Sequence, residues 1–211
     1  MAEKALQGVR VLELAQFVSG PYCAKLLADL GAEVVKIEEP LIGDEARRRA
    51  PFLNDVPHPE RSGLFLHLNT NKRAITLNIR TATGKDIFKQ LVNWADVLIE
   101  DKPPGEIKDL GLDYESLKAI NPRLIMTSIT PFGQTGPYRD YKAYNLNTYH
   151  AGGEPCILHQ QSVTPDRAPV KGPGLMGDYD AGLNAALVTL GVLYGLGEAG
   201  SGQHIDISNQ E

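Results

Sequence analysis

The chain has 211 residues, 42% hydrophobic and 22% charged, with a formal net charge of −5, which is enough apolar material for one large globular domain or two small ones. That acidic balance, with no Lys/Arg block to reverse it, argues against nucleic acid as a partner. The two cysteines, Cys23 and Cys156, stand far apart without a CxxC pattern, which speaks against a disulfide framework or a structural zinc site. The first residues lack the charged-then-apolar layout of a signal peptide, and no apolar run reads as a membrane span, so a cytoplasmic protein without a membrane partner is expected.

Residues 8–14 alternate and are rich in Val and Leu, which predicts a first strand. The turn that follows brings Gly20-Pro21, with Pro at a first-turn position where it removes no hydrogen bond. A helix is predicted over 22–30, stopped by Gly31, and a second strand over 32–38. These pieces form a βαβ unit whose default is a right-handed crossover into a parallel sheet. The first turn has no GxGxxG, so dinucleotide binding through that fingerprint is disfavoured.

Residues 39–63 form a long polar connection with four prolines and the basic run Arg47-Arg48-Arg49, and loops of that length are usually functional or mobile. Alternation then predicts a third strand over 74–79. Thr83 reads as the N-cap of an amphipathic helix running to 94, and a fourth strand follows over 96–100. Short helices are predicted over 107–112 and 114–120, and a fifth strand over 124–129. This rhythm gives an α/β fold: a Rossmann-like, largely parallel sheet with flanking helices. In such sheets ligands bind beyond the carboxyl ends of the strands, where the turns at 19–21, 101–105 and 130–137 fall.

From 131 to 177 the chain is rich in Gly, Pro and Tyr, with a helix predicted over 142–149 and a flexible loop over 160–174. A small-residue apolar helix is then predicted to begin at Asp178 and run to 194, followed by a strand over 203–208. A carboxylate after a glycine at a helix start sits in the positive field of unpaired N–H groups, which favours its ionised form. Such a group is a workable nucleophile for acyl chemistry. A plain N-cap is the simpler reading of Asp178 or Asp180 from this stretch alone.

Taken together, the segments 6–14, Gly20-Pro21, 30–38, Gly43-Asp44 with Arg47, Asn69 with 71–73, 121–125, Phe132-Gly133 with Gly136-Pro137, Gly177-Asp178 and 202–208 resemble the class III (CaiB/BaiF-type) coenzyme A transferases. The likeness spans nearly the whole chain. It implies that residues 1–211 are the N-terminal part of the family's large Rossmann-like domain, with the smaller domain and the returning C-terminal segment absent. It further implies a homodimer of interlocked subunits, or a paired subunit, for the full-length protein.

By the same resemblance Asp178 is the nucleophile, attacking an acyl-CoA thioester to give an aspartyl anhydride and then an aspartyl-CoA thioester, from which a carboxylic acid takes the CoA. Acyl-CoA is then a substrate, and neither a metal nor a tightly bound cofactor is implied. Lys72, Arg73, Lys142 and Arg47 are implied near the CoA phosphates, and Val18, Asp101 and Lys102 at the adenine and ribose end. Three features depart from the family pattern: Val18 and Asn145 stand where some transferases carry Gln and Glu, and Glu100-Asp101-Lys102-Pro103 replaces the family's common Glu-Asn-Phe-Xaa-Pro, so base stacking by an aromatic is lost there. The racemase branch carries a His in the segment matching 143–147, where none stands here, so a 2-methylacyl-CoA racemase-like enzyme is the weaker alternative. A non-catalytic CoA-binding subunit that needs a partner chain is the other.

Overall fold

The computed structural model describes residues 4–155 and 171–210; Cys156 and most of the loop expected at 160–174 lie outside them. Six strands form one sheet: β1 (Arg10–Leu14), β2 (Glu33–Glu38), β3 (Lys72–Thr76), β4 (Val97–Glu100), β5 (Ile125–Thr130) and β6 (His204–Ser208). All neighbouring pairs are parallel, in the order β3-β2-β1-β4-β5-β6. The chain winds outward from β1 to β3 and then returns to β4 on the other side, so the order reverses between β1 and β4. A crevice opens at that switch point, beyond the strands' carboxyl ends. The α/β expectation is met.

Both faces of the sheet are covered, which is why β4 and β5 are buried at every residue, their polar members Glu100, Thr127, Ser128 and Thr130 included. On one face α1 (Ser19–Asp29) and α7 (Met176–Ala199) pack over Val11, Val34, Ile99 and Ile205 through Ala24, Leu27, Ala181 and Ala185. On the other, α3 (Ala82–Trp94), α4 (Pro104–Asp109) and α5 (Tyr114–Lys118) cover Leu12, Leu98 and Met126 with Phe88, Val92, Ile107 and Leu117. Two further helices, α2 (Gly63–Leu68) and α6 (Asn145–Ala151), lie in the connections.

Several boundaries differ from the sequence reading, each for a packing reason. β3 begins two residues before the alternating stretch, because Lys72 is drawn inward while Leu77 and Ile79 pack into the core after the ladder has ended. The helix α2 was not expected; Ser62 caps it, its Oγ accepting from Phe65 N at 3.2 Å. The helix expected from Asp178 starts at Met176, which places Asp178 inside the first turn.

Contrary to the sequence expectation, Met176–Gly197 is long and apolar enough to cross a membrane by length and composition alone. One side of it packs into the core: Ala185 and Thr189 are fully buried, and the helix rests against α1, β5 and β6. Leu183, Leu187, Val188 and Tyr194 on its outer side are exposed.

Candidate active site

At the switch point the chain leaves β1 through Ala15, Gln16 and Phe17, and this turn is fixed by two carboxylates from neighbouring loops. Gln16 N–H donates to Asp101 Oδ2 at 2.7 Å and Phe17 N–H to Asp44 Oδ1 at 3.0 Å. Phe17 has φ +67°, a left-handed conformation that a bulky residue rarely adopts without such external support. Beneath the turn lies a buried charge network. Lys36 Nζ is 2.7 Å from Glu13 Oε1, 2.8 Å from Asp44 Oδ2 and 2.8 Å from Ala15 O. Lys72 Nζ is 2.8 Å from Glu13 Oε2. Burial pushes the Glu13 carboxyl up, but the two ammonium groups outweigh it and hold the carboxyl below its usual range.

Three adjoining clefts run along the carboxyl edge of the sheet. The first, about 320 Å³, is walled by Gln16, Glu38, Asp44, Arg80, Asp101 and Lys102. A second, about 810 Å³, shares Gln16, Arg80 and Asp101 with the first and adds Arg139, Lys142 and Tyr144. The third, about 320 Å³, shares Ala143 and Tyr144 with the second and contains Asp178. A long ligand laid in them passes four cations before it reaches the Asp178 carboxylate.

Asp178 is 7% exposed. Burial pushes its carboxyl up to about 6, against smaller downward pulls from hydrogen bonds of Asn209 and Asn145. Desolvation therefore outweighs the helix field that the sequence suggested would keep it readily ionised. Asn209 Nδ2 lies 3.3 Å from Asp178 Oδ1 and 3.4 Å from Ser19 Oγ, tying β6, α1 and α7 together at this point. The amide of Asn145, oriented to suit its neighbours, accepts from the N–H groups of Gly177 and Asp178, both at 3.1 Å. It thereby satisfies two donors at the start of α7. Asp180 is partly exposed and faces a separate cleft of about 380 Å³ that also holds Glu154.

The structure thus gathers Asp101, Lys102, Lys142 and Asp178 around connected clefts, but not the other residues singled out in the sequence. Val18 is fully buried and lines none of the clefts. Arg47 is clamped bidentately on Glu38 at 2.7 and 2.8 Å and lies over the Phe65 ring. Lys72 is spent on Glu13, Pro21 O and Asn69 Oδ1. Arg73 is exposed and pairs with Glu33, the first residue of β2, at 3.0 Å, which puts it toward the amino end of the sheet. Gly182 is needed by packing: a Cβ there would sit 2.5 Å from Ser19 O.

Sequence reasoning missed Arg80, Arg49, Lys171 and Asn209, which line these clefts. Arg49 was hidden in a run of three arginines whose members point to different partners: Glu38 for Arg47, Ile42 O for Arg48 and the Phe17 ring for Arg49.

A family model described as CoA-transferase family III matches residues 6–211. Over 205 residues the chain is 37% identical to the succinate–glutarate CoA-transferase of Agrobacterium fabrum, covering 96% of this chain and 50% of that protein. It is 38% identical over 208 residues to the formyl-CoA:oxalate CoA-transferase of Escherichia coli O6:H1, covering 98% and 48%. A CAIB/BAIF family protein from Brucella suis, solved by crystallography, superposes with a TM-score of 0.86 at 40% identity, covering 99% of this chain and 54% of that one. The chain spans about half the length of the curated relatives it matches.

Proposed function

The chain belongs to CoA-transferase family III, and from that premise we propose that its enzyme moves CoA from an acyl-CoA thioester to a carboxylic acid, with Asp178 as the covalent nucleophile. The observation that carries this reading is the placement of Asp178. It is a nearly buried carboxylate with a raised pKa, in a cleft that adjoins two others lined by Arg80, Lys102, Arg139 and Lys142.

In the proposed reaction Asp178 attacks the thioester carbonyl, the C–S bond breaks, and CoA leaves as the thiolate from a mixed anhydride. The thiolate then attacks the aspartyl carbonyl, releasing the first acid as its carboxylate and leaving an aspartyl-CoA thioester. An acceptor carboxylate attacks that thioester and expels the thiolate again. Attack of the thiolate on the acceptor carbonyl forms the new acyl-CoA and returns Asp178. A desolvated carboxylate suits this chemistry, since water no longer stabilises its charge. The N–H groups of Gly177 and Asp178 are held by Asn145, so they orient the nucleophile rather than receive the oxyanion.

Lys102, Arg80 and Lys142 are the cations that would meet the CoA phosphates, and Asp101 would accept from hydroxyl or amino groups at the nucleoside end. Racemisation is the poorer fit: the first residue of α6 is Asn145, and His150 lines none of the clefts. Hydroxylamine added during turnover should convert Asp178 to a hydroxamate that mass spectrometry finds in its peptide. A mark on another residue, or no mark while transfer proceeds, would sink the assignment.

A further inference from the structure

The proposed chemistry needs a hydrogen-bond donor at Asp178 itself. Twice in each turnover the aspartyl carbonyl is the group attacked, once by the CoA thiolate on the anhydride and once by the acceptor carboxylate on the thioester. In both steps the oxygen of Asp178 that stays on the protein becomes an oxyanion, and no proton moves. A donor already aimed at that oxygen stabilises both tetrahedral states without reorganising. The N–H groups at the start of α7 are held by Asn145, whereas Asn209 Nδ2 lies 3.3 Å from Asp178 Oδ1. We propose that Asn209 is a second catalytic residue: its amide marks Oδ1 as the retained oxygen, leaves Oδ2 to form and break the bond to the acyl group, and holds the oxyanion on Oδ1; this rests on Asp178 being the acyl carrier.

Asn209 is firmly placed for that task. It follows directly on β6, and its backbone N–H donates to Thr130 O, at the end of β5, at 2.9 Å, so the sheet carries it. The same Nδ2 lies 3.4 Å from the hydroxyl of Ser19, the first residue of α1, and the two contacts fix the plane of the amide. Its orientation follows from the carboxylate, since the reversed amide would set two acceptor oxygens face to face. Asn209 Oδ1 is buried and accepts nothing among the described residues, whereas an amide kept only for structure would satisfy both of its ends. The 3.3 Å contact is longer than the roughly 2.7–3.1 Å of a working oxyanion donor. It can shorten as charge gathers on the oxygen, which makes it stronger in the transition state than in the resting enzyme. The same hydrogen bond is the larger of the two that pull the Asp178 carboxyl down against its burial.

The test uses the complete enzyme that contains this chain, mixed with acyl-CoA in the absence of acceptor and quenched at intervals. Mass spectrometry of the intact protein and of its Asp178 peptide reads the CoA adduct. Asn209→Leu, similar in size and without a donor, should slow adduct formation and lower kcat by roughly a hundredfold or more, the usual loss for one oxyanion donor. The KM for acyl-CoA should stay within about threefold, because an interaction made in the transition state is what has been removed. Asn209→His, whose Nδ1–H can occupy the same place, should restore part of the rate. In Asn209→Leu the loss of transfer at low pH should also begin at higher pH, since a bond that favours the carboxylate is gone. Ser19→Ala removes the contact with α1 but not the one with Asp178, and should lower kcat far less. If Asn209→Leu folds poorly, Asn209→Ser, too short to reach Oδ1, carries the same expectation. Undiminished adduct formation in the Leu or Ser variant, or an equal loss in Ser19→Ala, would overturn the role of Asn209 while leaving Asp178 as the acyl carrier. No adduct on Asp178 in the unaltered enzyme while transfer proceeds would overturn both.

Discussion

Lys72 Nζ lies 2.8 Å from Glu13 Oε2, with both side chains almost wholly buried although Lys72 opens the edge strand β3. Glu13 also receives Lys36, so one carboxylate on β1 joins β2 and β3 through two ammonium groups. Removing one member of such a group leaves an uncompensated buried charge, which typically costs roughly 3–5 kcal/mol. Lys72→Met should therefore lower the urea midpoint sharply and should weaken CoA binding only to the extent that it unfolds the protein. If the variant unfolds normally but loses CoA affinity in calorimetry, Lys72 is a ligand contact after all and its burial has been misread.

The same pair shows what was legible in the sequence and what was not. Alternation in 8–14 and 32–38 and helical spacing in 22–30 give β1, β2 and α1 directly, because local periodicity follows from which face is buried. A lysine opening an edge strand looks like surface charge, and only the pairing of β1, β2 and β3 brings Glu13 to it. Gly177-Asp178 ahead of an apolar run is a local signal that by itself reads as an N-cap, and the family resemblance is what singled out Asp178. Asn209 and Arg49 carried none, since each reaches the site through tertiary packing of β6 or of the loop after β2.

CoA binding should depend on the cations that line the clefts and not on those at the other end of the sheet. Charge-assisted hydrogen bonds are worth roughly 1.5–3 kcal/mol each. Lys142→Ala and Lys102→Ala should each weaken CoA about ten- to hundredfold in calorimetry. Arg73→Ala should bind as the unaltered chain does, because Arg73 is exposed and pairs with the start of β2. An equal loss for Arg73→Ala would move the ligand away from the carboxyl edge.

Gly182 lets α7 lie against α1, and a methyl group there would meet Ser19 O at 2.5 Å and Tyr22 at 3.2 Å. Gly182→Ala should cost about 1–3 kcal/mol, the usual penalty for overpacking. It should also slow transfer, because Ser19 shares Asn209 with Asp178. Gly191, in the same helix with nothing near its missing side chain, is the control. Gly191→Ala should raise stability by about 0.5–1 kcal/mol through helix propensity alone. Urea unfolding of the two variants separates the effects, and equal behaviour would remove close packing as the reason for Gly182.

Asp178 should report its environment twice, once in stability and once in rate. Its carboxyl is raised from 3.8 in the unfolded chain to about 6 in the fold, by burial first of all. The folded state therefore prefers the protonated form, so stability is lost as pH rises from about 4 to about 6, and the full penalty persists above that. A shift of about two units corresponds to on the order of 2–3 kcal/mol. Asp178→Asn is neutral at every pH and should recover most of that stability at pH 8 and almost none at pH 4. In the proposed mechanism the carboxylate is the reacting form, so transfer by the unaltered enzyme should fall about tenfold per pH unit below about 6, while the Asn variant should transfer nothing at any pH. The difference between the two proteins in urea midpoint, followed from pH 4 to pH 8, isolates this one group from every other that titrates. A difference that stays flat across the range, or a transfer rate undiminished at pH 5, would show that Asp178 is neither desolvated nor the reacting carboxylate.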